Sequence, residues 1–355
     1  MAEPLILAVA GDPGGANALA PALGWLRQQG CRIHAAGYRQ APALWAALGW
    51  QVEPLPEHGF DAAAWLAGHG AALLLTATSA NGVDLERRLW QHARLSGLTS
   101  LALLDFWSNY PLRFQSSQDW IWPEHLAVMD AASAAELHTL GAPQIHITGQ
   151  PALDALPALL QAFTPARRQV LRDDQQAGQS RTLLFVSQPL AALYGSEAAA
   201  RQVVGYCEAD VWADLVAAIP TLTRHTQVWV RSHPRECMSD WRSRLAPHAW
   251  ARLAEGDNGR DWVLAADGVL GMNSMLLQEA CLLGKSVMSY QPGLIGPDVL
   301  PANRHGWSTA VTRRAGFATQ LAGWLDTLPP SSAPLPDGQA TERLGMLVLE
   351  LLVRG

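Results

Sequence analysis

Strand-length apolar runs alternate with helix-spaced segments along almost the whole chain, and this alternation most narrows what the chain can fold into. Residues 5–10 have the length and apolarity of a buried strand, and residues 16–29 then carry apolar side chains at helical spacing. Further strand candidates follow at 32–36, 71–76, 99–104, a run ending near Val128, and 144–148. Helical patterns separate them at 41–48, 61–66, 84–94 and 132–140. Such alternation predicts parallel βαβ units in a doubly wound sheet. Gly149-Gln150-Pro151 breaks the pattern, a helical stretch covers 152–162, and the polar segment 172–181 reads as a linker. The pattern restarts with strands at 182–186, 227–230, 268–270 and 286–289 and a helix over 211–219. A Pro/Ser-rich break at 329–336 precedes a last helix over 341–353. At 355 residues the chain exceeds one ordinary core. The expectation is an α/β protein of two Rossmann-like domains facing a cleft, over 1–165 and 175–328. A terminal helix within 338–355 can cross back.

Composition bounds the partners. An apolar fraction of 49% and a charged fraction of 16% describe a packed soluble protein, and a formal charge of -6 argues against a broad nucleic-acid surface. The four cysteines, Cys31, Cys207, Cys237 and Cys281, form no CxxC pair, so neither a zinc site nor a disulfide framework is expected. The first residues lack a basic n-region, no apolar stretch is long enough to span a bilayer, and membrane contact is at most peripheral. A cytoplasmic location is the default.

The most telling stretch runs from Leu270 through Gly271, Met272, Asn273, Ser274 and Glu279 to Ala280, followed by Gly284-Lys285-Ser286-Val287. A strand ends in a small polar turn, and a helix starts there. The turn offers free backbone N–H groups and a hydroxyl to an anion. Glu279 lies in an otherwise apolar stretch, where a carboxylate needs a partner and a ribose hydroxyl suits it. Arg231, Ser232, His233 and Arg235 concentrate donors just past another strand end, as a phosphate or diphosphate requires. His233 and Glu236 have HxxE spacing, but no other ligands flank them and no metal is expected. Ser187-Gln188-Pro189 ends the strand at 182–186 and can join the same phosphate site.

In the first half, Gly11-Asp12-Pro13-Gly14-Gly15-Ala16-Asn17 follows the first strand without P-loop or dinucleotide spacing. Gly14, Gly15 and Asn17 can line an acceptor site, with Asp12 as a general base; a plain tight turn competes with that reading. Asp105, Trp107, Asn109, Tyr110 and Arg113 follow the strand at 99–104. They suit stacking and hydrogen bonding to a sugar-like acceptor, with Asp105 as a second candidate base, or else an aromatic loop in which Asp105 pairs with Arg113.

The second half resembles the GT-B glycosyltransferases and their relatives, the non-hydrolysing UDP-sugar 2-epimerases. The resemblance rests on Gly271-Met272-Asn273-Ser274, Glu279-Ala280 and Gly284-Lys285-Ser286-Val287, with His233-Pro234 before them. In sialyltransferase-like and polyol-phosphate-transferase-like branches an HP pair and a downstream Ser turn hold nucleotide phosphates, which implies those roles for His233 and Ser274. The resemblance also implies ribose binding by Glu279, and Gly149-Gln150-Pro151 with Asp154 is similar to the turn that closes the first domain. Position 271 is Gly, so no EX7E pair is present, and no acidic pair followed by Gly marks a sialyltransferase base. The implied activity is metal-independent transfer of a sugar from a nucleotide-activated donor to a hydroxyl acceptor, with no cofactor beyond that co-substrate. A nucleotide-sugar 2-epimerase and a catalytically silent GT-B shell are the alternatives.

Overall fold

The computed structural model describes residues 3–256 and 258–354, which form two compact units. The first comprises residues up to Ala155 together with those from Pro336 onward, and the second spans Leu156–Leu335.

The strands of the first unit are β1 (Leu5–Ala10), β2 (Arg32–Gly37), β3 (Val52–Pro54), β4 (Leu73–Thr76), β5 (Ser100–Leu103), the short antiparallel pair β6 (Gln115–Ser116) and β7 (Asp119–Trp120), β8 (His125–Val128) and β9 (Gln144–Ile147). Its helices before the crossing point are α1 (Pro13–Gln28), α2 (Ala41–Ala47), α3 (Ala62–His69), α4 (Leu85–Ser96), α5 (Tyr110–Phe114) and α6 (Ala131–Thr139). The main sheet is parallel, in the order β3-β2-β1-β4-β5-β8-β9. Strands covered on both faces must be apolar throughout, and β1 is buried from Ile6 to Ala10.

The second unit carries helices α7 (Ala155–Ala162), α8 (Pro165–Asp174), α9 (Leu190–Tyr194), α10 (Glu197–Val204), α11 (Glu208–Ala218), α12 (Met238–Leu245), α13 (Gly259–Ala265), α14 (Met275–Leu282), α15 (Pro301–Arg304) and α16 (Phe317–Thr327). Its strands are β10 (Arg181–Val186), β11 (Thr226–Arg231), β12 (Ala251–Leu253), β13 (Gly268–Gly271), β14 (Ser286–Tyr290) and β15 (Thr309–Val311). They form a second parallel sheet, ordered β12-β11-β10-β13-β14-β15. Two Rossmann-like sheets, each with its own core, thus make up the chain. Ile6, Leu19, Leu75 and Leu101 belong to the first core, and Phe185, Leu215, Val228 and Leu270 to the second.

The last helix, α17 (Ala340–Arg354), belongs to the first unit, where Leu344, Val348 and Leu351 enter the core. Gly345 lets it lie against Trp25 of α1, since a Cβ there would sit 2.2 Å from the indole. The Gly149-Gln150-Pro151 turn holds the start of α17. Gly149 has φ +83°, and both Asp154 oxygens accept from α17, from Ala340 N at 2.9 Å and Thr341 N at 2.7 Å.

The boundary expected at 165 lies instead at Ala155, and the polar stretch 172–181 is not a linker. It sits inside the second unit, where Arg172 near the end of α8 is buried and donates to Thr182 Oγ1 and to the Gly178 and Ser180 carbonyls. Polar residues here satisfy one another locally, which imitates the composition of a loop. Strand β3 escapes the sequence pattern because it is three residues long and contains Glu53 and Pro54. Among the described residues no helix is long and apolar enough to cross a membrane.

Candidate functional site

Doubly wound sheets place ligands at the carboxyl ends of their strands, at the point where strand order reverses. In the first unit that point lies between β1 and β4, and in the second between β10 and β13. Polar side chains span both reversals.

At the first reversal Asp12 follows β1 and reaches the turn after β4. Its Oδ2 accepts from Ala80 N at 2.8 Å and its Oδ1 from Asn81 Nδ2 at 2.6 Å. Beneath it Glu86, in the first turn of α4, is 3% exposed. It accepts from Tyr38 Oη and Ser79 Oγ, each at 2.5 Å. Burial pushes the Glu86 carboxyl up to about 7; the bonds from Ser79 and Tyr38 oppose this, and the charge of Asp12 adds to it. Burial and Glu86 also raise the Tyr38 phenol, so it stays a donor. A carboxyl that titrates near neutrality beside a second carboxyl is the arrangement acid–base chemistry requires.

Close packing makes this turn small. A Cβ on Gly11 would sit 2.2 Å from the Tyr38 ring, one on Gly15 2.4 Å from Ala77 Cβ, and one on Gly14 2.5 Å from Asp105 Oδ2. Asp105 itself is buried and paired with Arg113, and its Oδ1 accepts from Thr78 Oγ1 at 3.2 Å. Its Oδ2 therefore faces the start of α1 at Gly14. Arg113 also donates to the Ser108 and Thr78 carbonyls. Trp107 is buried and donates to Asp130 Oδ2 at 2.6 Å, and Tyr110 is buried as well. Gly14, Asn17 and Asn109 are exposed, the last with φ +61°. Of the residues expected to meet an acceptor, these three present themselves to solvent, while Trp107, Tyr110 and Arg113 lie inside.

At the second reversal Gln188 and Asn273 bind each other's turns. Asn273 N donates to Gln188 Oε1 at 2.6 Å, and Gln188 Nε2 donates to the Asn273 carbonyl. Gly271 allows the strands to close, because a Cβ there would meet Leu277 at 2.6 Å and the Val186 carbonyl at 2.9 Å. Ser274 caps α14 and accepts from Leu277 N at 3.3 Å. Met272 is fully buried, and its carbonyl accepts from Ser289 Oγ at 2.7 Å. Glu279 meets Arg260 of α13 through two bonds of 2.8 Å each, so the carboxylate on the apolar helix finds its partner within the protein. That pairing leaves oxygen lone pairs on Glu279 for a further donor.

His233, just past β11, is half-buried. Its Nδ1 accepts from Arg235 N at 3.1 Å, which leaves Nε2 to carry the proton of the neutral ring. Burial lowers its pKa, Arg235 lowers it further, and Glu236 opposes both. At neutral pH His233 is thus a fixed hydrogen-bond donor. Glu236 holds this turn: it accepts from His233 N at 2.6 Å, Ser187 Oγ at 2.7 Å and Trp241 Nε1 at 3.0 Å. Arg231 donates to the Ala254 and Gly256 carbonyls, whereas Arg235 is exposed.

Sequence reasoning missed Tyr38, Ser79, Asn81, Glu86 and Arg260, and weighed Glu236 only as a metal ligand. One signal was available. Glu86 shares a helical stripe with Trp90 and Ala93, both buried, so a carboxylate occupies a core-facing position.

Solved structures share this fold. The UDP-GlcNAc 2-epimerase of Methanocaldococcus jannaschii matches 98% of this chain and 99% of its own, with a TM-score of 0.65 at 11% identity. An S. aureus MnaA–UDP co-structure matches 98% and 97% with a TM-score of 0.68 at 12% identity. Acinetobacter baumannii MurG matches 98% and 99% with a TM-score of 0.61 at 11% identity. The chain has the GT-B fold of these proteins. No protein-family model and no curated protein matches the sequence.

Proposed function

We propose that the chain is a nucleotide-sugar 2-epimerase; the second unit carries groups suited to a nucleotide, and the first carries carboxyl groups suited to proton transfer. The observation that carries this reading is the buried Glu86, held by Tyr38 and by Ser79, the latter also accepting from Asp12 N at 3.3 Å; burial pushes the Glu86 carboxyl up to about 7. The fold is shared with several UDP-GlcNAc 2-epimerases, which favours this reaction over sugar transfer.

Inversion at C2 breaks a C–H bond with no carbonyl beside it, so the electron pair needs a destination. The diphosphate at C1 is the available leaving group. One carboxylate takes the C2 proton while the C1–O bond breaks, giving a C1–C2 double bond and a free nucleoside diphosphate. A proton then adds to the opposite face of C2 as the diphosphate returns to C1. Atoms and charge balance, no redox partner enters, and no metal takes part. In the second unit His233 Nε2–H and the α14 amides suit a departing diphosphate; in the first, Asp12 is the carboxylate suited to exchange a proton with C2, with the buried Glu86 behind it through Ser79.

The test is incubation with UDP-GlcNAc alone in D2O, followed by NMR. The expected result is the 2-epimer, with deuterium at C2 in product and recovered substrate. If the nucleotide sugar stays unchanged until a hydroxyl acceptor is added and then yields a glycoside, the reaction is sugar transfer, with Asp12 or Asp105 as base. If UDP, CMP, GDP and CDP all fail to raise Tm, the GT-B shell has no nucleotide function.

A further inference from the structure

We propose that His34, Glu53 and His69 of the first unit bind a divalent transition-metal ion of the zinc type. His34 lies on β2, Glu53 on β3, and His69 ends α3. Ala36 and Glu53 are register partners, so His34, two residues earlier on its strand, shares their sheet face. One ligand atom from each of the three residues falls within 4.8 Å of the others.

The hydrogen bonds select those atoms. His69 Nδ1 lies 2.7 Å from the Trp65 carbonyl, which can only accept, so Nδ1 carries a proton. The lone pair of the neutral ring is then on Nε2, 3.8 Å from Glu53 Oε2. Glu53 Oε2 also meets His34 Nε2 at 2.6 Å, while Glu53 Oε1 accepts from Trp65 Nε1 at 3.0 Å. Trp65 therefore orients two of the three ligands, the outer support that metal-binding His and carboxylate groups typically have. A tetrahedral ion with bonds of about 2.0–2.1 Å holds its ligands roughly 3.3 Å apart. The His34–Glu53 and Glu53–His69 separations are 2.6 and 3.8 Å and all three atoms lie within 4.8 Å, so an ion at that spacing takes the place of the His34–Glu53 hydrogen bond. Two His and one carboxylate leave a fourth position for water. The side chains are 33%, 37% and 23% exposed, which gives an ion access.

The cluster lies at the β2–β3 edge of the sheet, whereas the strand-order reversal lies between β1 and β4, so it is distinct from the proposed catalysis. The test uses the full chain, stripped with EDTA and dialysed against Zn2+, with bound metal counted by mass spectrometry and Co2+ absorption read in the visible. One equivalent, a tetrahedral Co2+ spectrum and a metal-dependent rise in Tm are expected. His69→Ala and Glu53→Gln should each lose that equivalent, and Trp65→Phe should weaken binding about 10- to 100-fold. His233→Ala should keep it. Circular dichroism of the metal-free variants checks the fold; if His34→Ala misfolds, His69→Asn at the helix end takes its place. Absence of stoichiometric Zn2+, or equal binding by wild type and His69→Ala, overturns the proposal and leaves His69 as an imidazolium paired with Glu53.

Discussion

At the scale of single residues, backbone contacts decide what side chains can do. The Arg235 amide occupies His233 Nδ1 and so turns the other nitrogen into a donor. Removing such a donor from a developing anion costs about 10²-fold or more in turnover. His233→Ala is expected to show that loss in steady-state assays with Tm nearly unchanged. Ser274→Ala should lose turnover too, and also about 1 kcal/mol of stability, because Ser274 caps α14. Wild-type activity in both would remove the nucleotide assignment. The turns around these residues could be read from the chain because strand ends, small residues and donors lie close together in sequence. The Glu279–Arg260 pair could not, since it joins two helices through side chains 19 positions apart. Nor could the Asp12–Asn81 bond, which spans 69.

Elements show a similar division between local pattern and distant contact. Apolar periodicity located the start of α17 within one residue, but nothing near residue 340 says where the helix docks. That is set by Asp154, 186 positions before Ala340, which satisfies two of the helix's unpaired amides. Asp154→Ala should destabilise the first unit by about 1–2 kcal/mol, with faster amide exchange concentrated in α17. Asp154→Asn should recover part of the loss, because an amide oxygen can still accept one of the bonds. Unchanged exchange in α17 would show that packing alone seats the helix. The false linker at 172–181 teaches the converse lesson. A polar segment can close one helix and lead into the next strand within a single unit, and composition alone does not distinguish that from a linker.

For the whole molecule, two sets of buried ionisable groups make stability depend on pH in opposite senses. Glu86 is raised from 4.5 to about 7, so the folded state binds more protons than the unfolded chain between those values. Its contribution is present in acid and is lost as pH climbs from 4.5 through 7. His125 and His146, 3.1 Å apart, are held below 6.5 chiefly by burial. Their contribution is present above 6.5 and is lost as pH falls through their folded values. Glu86→Gln should therefore flatten the decline in stability between pH 4.5 and 7, whereas His146→Gln should flatten the loss on the acid side. Urea denaturation across that range measures both, and curves parallel to wild type would contradict the assignments.

The split make-up of the first unit also bears on how the protein is made. Its core is incomplete until Leu344, Val348 and Leu351 exist, yet the whole of the contiguous second unit is synthesised before them. On a ribosome adding about 5–20 residues per second, the surface of α1 that Gly345 will cover stays bare on the order of ten seconds or more. During that interval the part of the first unit that precedes the second waits for the helix that completes its core.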